Sequence, residues 1–128
     1  MAAKFHNPKS VSLAGKYSLG AEVPEGARLF YVSGQVGVDG KGKLQAGIEK
    51  QVDQAWKNIA QVLKSGGMTY ADIVKVNVFL TDSRFIAAYR AARDRFFPKA
   101  PYPASTLLIV AGLADPGMLV EVEVVAAK

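Results

Sequence analysis

The sequence contains no cysteine, which excludes disulfides, zinc-thiolate sites and thiolate nucleophiles together. Histidine occurs once, at His6, so no metal site can be built from several imidazoles. A Ser-His-Asp triad would have to recruit that residue from close to the start of the chain. Long apolar runs are missing as well. The longest, Ser105 to Leu113 with Gly112 inside it, falls far short of the roughly 20 residues of a membrane-crossing helix. The opening Met1-Ala2-Ala3-Lys4-Phe5-His6 has no apolar stretch after its first charge, so no secretory signal and no membrane association are expected, and a cytoplasmic location is the default.

What is present describes a compact protein. Hydrophobic residues make up 50% and charged residues 21% of a 128-residue chain, enough for a real core and too short for two domains of ordinary size. A single domain over residues 1–128 is expected. The net charge of +5 raises the question of an anionic partner. The lysines are scattered singly, however, and only Arg84, Arg90, Arg93, Arg95 and Lys99 lie close together, with no interleaved aromatic and basic motif. That pattern reads as a solvated basic surface, and nucleic acid is not expected as a partner.

Met1 to Pro8 shows no periodicity and reads as a loop or arm. Lys16–Ala21 and Ala27–Ser33 are short β-prone runs on either side of Pro24 and Gly26, and read as a hairpin. Both faces of the second run are apolar, so both need a cover. The glycines of Ser33-Gly34-Gln35-Val36-Gly37-Val38-Asp39-Gly40 permit a sharp redirection or a close backbone approach. From Gly47 to Leu63, Ile48, Val52, Ala55, Trp56, Ile59, Val62 and Leu63 recur at spacings of three and four, the stripe of an amphipathic helix, and Gly66-Gly67 stops it. Ile73–Leu80 reads as a central strand. Asp82 is an N-cap for a second helix whose inner spacing runs Phe85, Ile86, Tyr89, Arg93, Phe96 up to Pro98.

Two strands remain, Pro103–Val110 and Met118–Val125. The second places Glu121 and Glu123 on one face and Val120, Val122 and Val124 on the other. Asp115-Pro116-Gly117 between them suits a type II turn and predicts that the two pair as a hairpin. The whole is an α+β arrangement of about six strands and two helices. Two helices can cover only one face of such a sheet, so the other, also apolar, is expected to be buried by self-association.

The order of several short motifs resembles the Rid (YjgF) family: Tyr17, Ser33-Gly34-Gln35, Asp39-Gly40, Gln51, Asn58, Gly66-Gly67, Val76 to Asp82, and the closing Pro103-Ala104-Ser105-Thr106 with Glu121 and Glu123. The resemblance implies a chorismate-mutase-like fold, a six-stranded mixed sheet with two helices on one face, and a homotrimer with a central barrel. It also implies small-molecule ligands in clefts between subunits, and hydrolysis of imines or enamines to a carbonyl compound and ammonia without metal or organic cofactor.

Carried over position by position, the resemblance makes Glu121 the catalytic residue that orients water, and puts Tyr17, Ser33, Gly34, Ser105 and Thr106 around the substrate. Ser105 stands where the family places the arginine that holds the substrate carboxylate. A standard 2-imino acid deaminase is therefore not expected. Arg90 falls where active members carry a cleft asparagine, so anion binding is expected either to have moved there or to be absent, with Arg90 paired to Asp94 on an exposed helix face. Without the resemblance, Glu121 and Glu123 read as a solvated strand face. Ser105 has no neighbouring histidine to activate it as a nucleophile. The expected function is hydrolysis of an imine, enamine or related metabolite. The alternatives are a non-catalytic metabolite-binding or regulatory trimer and, third, a ribonuclease.

Overall fold

A computed structural model describes residues 2–128; Met1 lies outside the described residues. In chain order the elements are β1 (Lys4–His6), β2 (Gly20–Glu22), β3 (Leu29–Val36), α1 (Ile48–Ser65), β4 (Ile73–Leu80), α2 (Ile86–Phe96), β5 (Ala104–Ile109) and β6 (Val120–Ala127). The strands form two sheets rather than the one expected: β1 pairs with β2, and the other four are ordered β3-β6-β4-β5. β6 is antiparallel to both β3 and β4, whereas β4 and β5 run parallel. No helix among the described residues is long and apolar enough to cross a membrane.

The core follows from alternation. Val76, Val78 and Leu80 of β4 and Val120, Val122, Val124 and Ala126 of β6 all turn to the side covered by the helices and join the core, as does Ile73, because a register shift between Ile73 and Lys75 interrupts the alternation at Val74. Their β-branched side chains suit a pleated, packed surface. α1 answers with Ile48, Val52, Ala55, Trp56, Ile59 and Leu63, all buried, so the stripe read from the sequence is the packed face. Trp56 stands at the centre, its ring 5.2 Å from that of Phe97 and 5.9 Å from that of Tyr70. The Tyr70 hydroxyl donates to the Trp56 carbonyl at 2.6 Å, and burial pushes it up to about 12. α1 ends where Gly66 lies against Phe30; a Cβ there would collide with the ring. Gly67, at φ +74°, then takes a conformation that side chains rarely adopt.

Two pairing expectations fail. β5 and β6 are not a hairpin, because β4 lies between them. Their connection crosses the end of β4, where the Val110 amide donates to the Leu80 carbonyl and the Thr81 amide to Leu119. The Asp115-Pro116-Gly117 turn does form, closed by Met118 N–H to the Asp115 carbonyl at 3.0 Å. Gly117, however, is not among the positive-φ glycines, so the turn is not type II. Nor do the strands flanking Pro24-Glu25-Gly26 pair with each other. β3 joins β6, and β2 joins β1, so the N-terminal segment read as a loop contributes a strand.

Gln51 fixes the crossing loop. It is buried on α1, donates to the Gln45 and Gly117 carbonyls at 3.1 and 3.0 Å, and accepts from the Leu119 amide at 2.9 Å. This sets the start of β6, and with it the side to which Glu121 turns. Among the described residues, none of the helices covers the far face of the four-stranded sheet. Leu29 is 49% and Tyr31 72% exposed on it.

Candidate functional site

Alternation along β5 and β6 divides the expected site residues between the two faces of one sheet. Ser105 is in register with Val76 and Leu107 with Val78, so both turn to the helix side. Thr106, in register with Asn77, turns to the far side and accepts from the Lys75 ammonium at 2.7 Å. Glu121 is also on the far side, in register with Phe79 and Val36. Within one chain Ser105 and Thr106 thus belong to different surfaces, and Glu121 does not face Ser105.

On the helix side, a cavity of about 440 Å³ lies between β5, α2 and the loop that precedes β2. Tyr17, Arg90 and Ser105 all line it, together with Lys16, Arg93 and Asp94. The loop is bolted to the start of β5. The Ser18 amide donates to the Pro103 carbonyl at 3.0 Å, its buried hydroxyl donates to the Tyr102 carbonyl at 2.6 Å, and the Leu19 amide donates to Asn7 Oδ1 at 2.7 Å. Tyr17 is therefore held at the cavity edge by its neighbours' backbone.

The charges of this cavity are unevenly paired. The expected Arg90–Asp94 pair does not form, because Asp94 is taken by others. Arg93 Nη2 approaches its Oδ1 at 2.9 Å and Lys16 Nζ its Oδ2 at 3.3 Å. Burial pushes the Asp94 carboxyl up, but the Arg93 guanidinium and the Lys16 ammonium outweigh it and leave the group below the usual aspartate value. Arg90 makes no ion pair among the described residues, and its side chain is left at the cavity wall. Tyr89 is buried beneath, and burial raises its hydroxyl above the usual tyrosine value.

Arg93, Asp94 and Lys16 were absent from the expected site. A signal for Arg93 existed: it occupies an inward position in the helical spacing of α2, where a charge is unusual without a partner. Its side chain is only 16% exposed.

On the far side, Ser33 and Gly34 fall at a break in the β3–β6 register between Val32 and Gln35. Gly34 lies so close to Glu121 that a Cβ would collide with the carboxylate, which explains why glycine is needed beside this glutamate. Glu123 accepts a long contact of 3.5 Å from Asn77. A separate open hollow of about 480 Å³ lies where the end of β3 meets α1, lined by Gly34, Val36, Asp39 and the α1 residue Asn58. Among the described residues, no group of three histidines or carboxylates could hold a metal ion.

The arrangement is an α+β protein with two helices on one face of a mixed sheet and a charged cavity at the edge strand. Residues 8–128 match the model of the family described as Endoribonuclease L-PSP. A RutC family protein from Haemophilus influenzae is 32% identical over 133 residues, covering 100% of this chain and 98% of that protein. A human protein named 2-iminobutanoate/2-iminopropanoate deaminase is 32% identical over 120 residues, covering 92% of this chain and 84% of the relative. The crystal structure of YyfB from Yersinia pestis, of the conserved Rid protein family, superposes with a TM-score of 0.90 at 28% identity, covering 100% of both chains. The chain belongs to the Rid (YjgF) family, which carries that endoribonuclease L-PSP description.

Proposed function

We propose that this protein hydrolyses an imine or enamine, without a cofactor, in clefts formed where the helix-side cavity of one subunit meets the Glu121 surface of the next in a homotrimer. The observation that carries the reading is the division of the site: Tyr17, Arg90 and Ser105 around one cavity, Ser33, Gly34 and Glu121 on the opposite face of the same sheet. Joining such halves needs a second copy, and the exposed Leu29 and Tyr31 supply an apolar reason for one to bind. The deaminase name of the human relative supports the chemistry.

In this reading the Glu121 carboxylate orients a water, which adds to the iminium carbon. The tetrahedral adduct expels its nitrogen, so that C=NH₂⁺ and H₂O give C=O and NH₄⁺, with the proton count and charge conserved. Backbone N–H groups near Ser33–Val36 polarise the adduct, and Arg90 holds the substrate anion. Ser105 cannot supply the guanidinium of the family pattern. Charge-assisted hydrogen bonds contribute roughly 1.5 to 3 kcal/mol each, so 2-iminopropanoate is held at least about tenfold more weakly than with arginine at this position.

The test is ammonia release from 2-iminopropanoate. Wild type is expected to release little, Ser105→Arg to raise the rate, and Ser105→Arg with Glu121→Ala to lose the gain. Ser105 also favours a second reading, a metabolite-binding trimer without turnover. Tight binding of 2-oxo acids with no hydrolysis of any imine, in wild type and Ser105→Arg alike, would establish that reading instead.

A further inference from the structure

We infer that the preferred ligand of this cavity is a dicarboxylate, specifically a 2-imino dicarboxylate, with one carboxylate on Arg90 and the other on the Lys16–Arg93–Asp94 cluster. The inference rests on the imine-hydrolase reading and adds the substrate class to it.

Lys16, Arg93 and Asp94 form one connected group, with Asp94 Oδ1 on the guanidinium and Oδ2 on the ammonium, and together they carry a net +1. Arg90 adds a second, unpaired +1. The two lie at different depths. Arg90 is exposed on the outer turn of α2, whereas the Arg93 side chain is only 16% exposed. Arg93 and Ser105 also border together a smaller recess, lined by Val76, Phe97 and Tyr102, just beneath the main cavity. The inner cation thus shares this recess with the position where the family resemblance places an arginine, whereas Arg90 borders only the main cavity.

Two cationic points separated along a cavity fit two separate anionic groups better than one doubly charged group. A 2-imino monocarboxylate, as its iminium, presents one carboxylate to the cavity and one cationic C=NH₂⁺ to Glu121, and leaves one of the two points unmatched. A 2-imino dicarboxylate matches both and still offers its iminium to Glu121. At about 440 Å³ the cavity has room for the added carboxylate. The Arg90 guanidinium is free to grip a carboxylate through two parallel hydrogen bonds, whereas Arg93, whose Nε and Nη2 already donate to Asp94, has its remaining N–H groups and the cluster's net charge to offer the second.

The experiment compares two 2-oxo acids, oxaloacetate freshly dissolved before it decarboxylates to pyruvate and pyruvate itself, by calorimetry on the intact protein at low ionic strength. It is paired with hydrolysis of 2-iminosuccinate and 2-iminopropanoate, each generated in place from its amino acid by an amino-acid oxidase. Wild type is expected to bind oxaloacetate at least tenfold more tightly than pyruvate and to hydrolyse 2-iminosuccinate faster. Arg90→Ala removes an anion anchor that both acids can use, so both should weaken, oxaloacetate by several-fold more, until the two affinities converge to within about threefold. Arg93→Lys, which keeps the charge but loses the planar fork, should weaken both. Equal affinity of wild type for the two acids, or an equal loss of both in Arg90→Ala, overturns the dicarboxylate inference and leaves the hydrolase reading standing. Binding of neither acid together with hydrolysis of neither imine overturns both.

Discussion

The two faces of the four-stranded sheet are made by the same strands in strict alternation, yet they have opposite needs. On the helix side the strand residues meet α1 and α2, and the chain buries them unaided. On the far side lie Lys75, Asn77, Glu121 and Glu123, partly exposed, with Leu29 and Tyr31 standing exposed on the same face. One face is therefore a finished core, and the other is left open with the exposed Leu29 and Tyr31 on it. The candidate site inherits the split, because neighbouring strand residues such as Ser105 and Thr106 cannot serve the same surface.

The comparison breaks most violently on the finished face. Trp56→Ala removes a fully buried ring packed on Tyr70, Phe96 and Phe97, and should cost about 3–5 kcal/mol. Denaturant unfolding followed by circular dichroism measures it. A loss under about 1 kcal/mol would mean that the helices do not carry the core.

On the far face the expected effect is on assembly, not folding. Tyr31 is 72% exposed in the single chain, so Tyr31→Glu should leave the circular dichroism spectrum of the fold intact. It should lower the light-scattering mass from three times 13.7 kDa toward one. Wild type that scatters as a monomer would remove the interface altogether.

Most of the elements were legible from periodicity because each carries its own signal. The stripe of α1, the alternation of β4 and the Asp82 cap all lie within a dozen or so neighbouring residues. Pairing was not legible, since a turn such as Asp115-Pro116-Gly117 records a local change of direction and says nothing of which strand is inserted between its flanks. The candidate site suffered in the same way. Glu121 and Ser105 came from a family resemblance, which keeps order along the chain but not the face to which each side chain turns. Arg93 was counted as a core position by its spacing, and its charge was the clue that the α2–β5 side is more than core.

A finer test asks whether the two half-sites come from different chains. Wild type lacks the arginine on the cavity side, and Ser105→Arg with Glu121→Ala lacks the carboxylate on the other; each should be slow on 2-iminopropanoate. Unfolded and refolded together in equal amounts, they should form clefts that combine the intact half of each, about one in four for random closed assembly. Activity in the mixture well above the mean of the two parts locates the site between chains. A mixture that merely averages them would return the whole site to one chain.

The smallest effect concerns the 3-10 turn Ser83–Phe85 that leads into α2: Asp82, expected to cap the helix, caps this turn instead, and α2 itself starts after Phe85 with no side-chain cap. Asp82 accepts from the Arg84 amide at 2.8 Å and from its guanidinium at 3.1 and 2.8 Å. The side-chain hydrogen bond with Arg84, followed by that to its amide, holds the Asp82 carboxyl down at about 2, against an ordinary value of 3.8. Because the folded value lies below the unfolded one, the contribution is present in full above about pH 4 and is lost as pH falls toward 2. Asp82→Asn keeps an oxygen to cap the turn but has nothing to titrate. The wild-type chain should therefore be the more stable of the two at pH 6, and the gap should close between pH 4 and 2. Thermal midpoints of both proteins across that range read the difference directly. A gap that persists unchanged at pH 2 would assign the effect to side-chain shape and not to charge, and would leave the α2 end of the cavity insensitive to acid. Arg84 is fully solvated in this pair, so the gap should also shrink with added salt at pH 6, whereas the loss in Trp56→Ala should not.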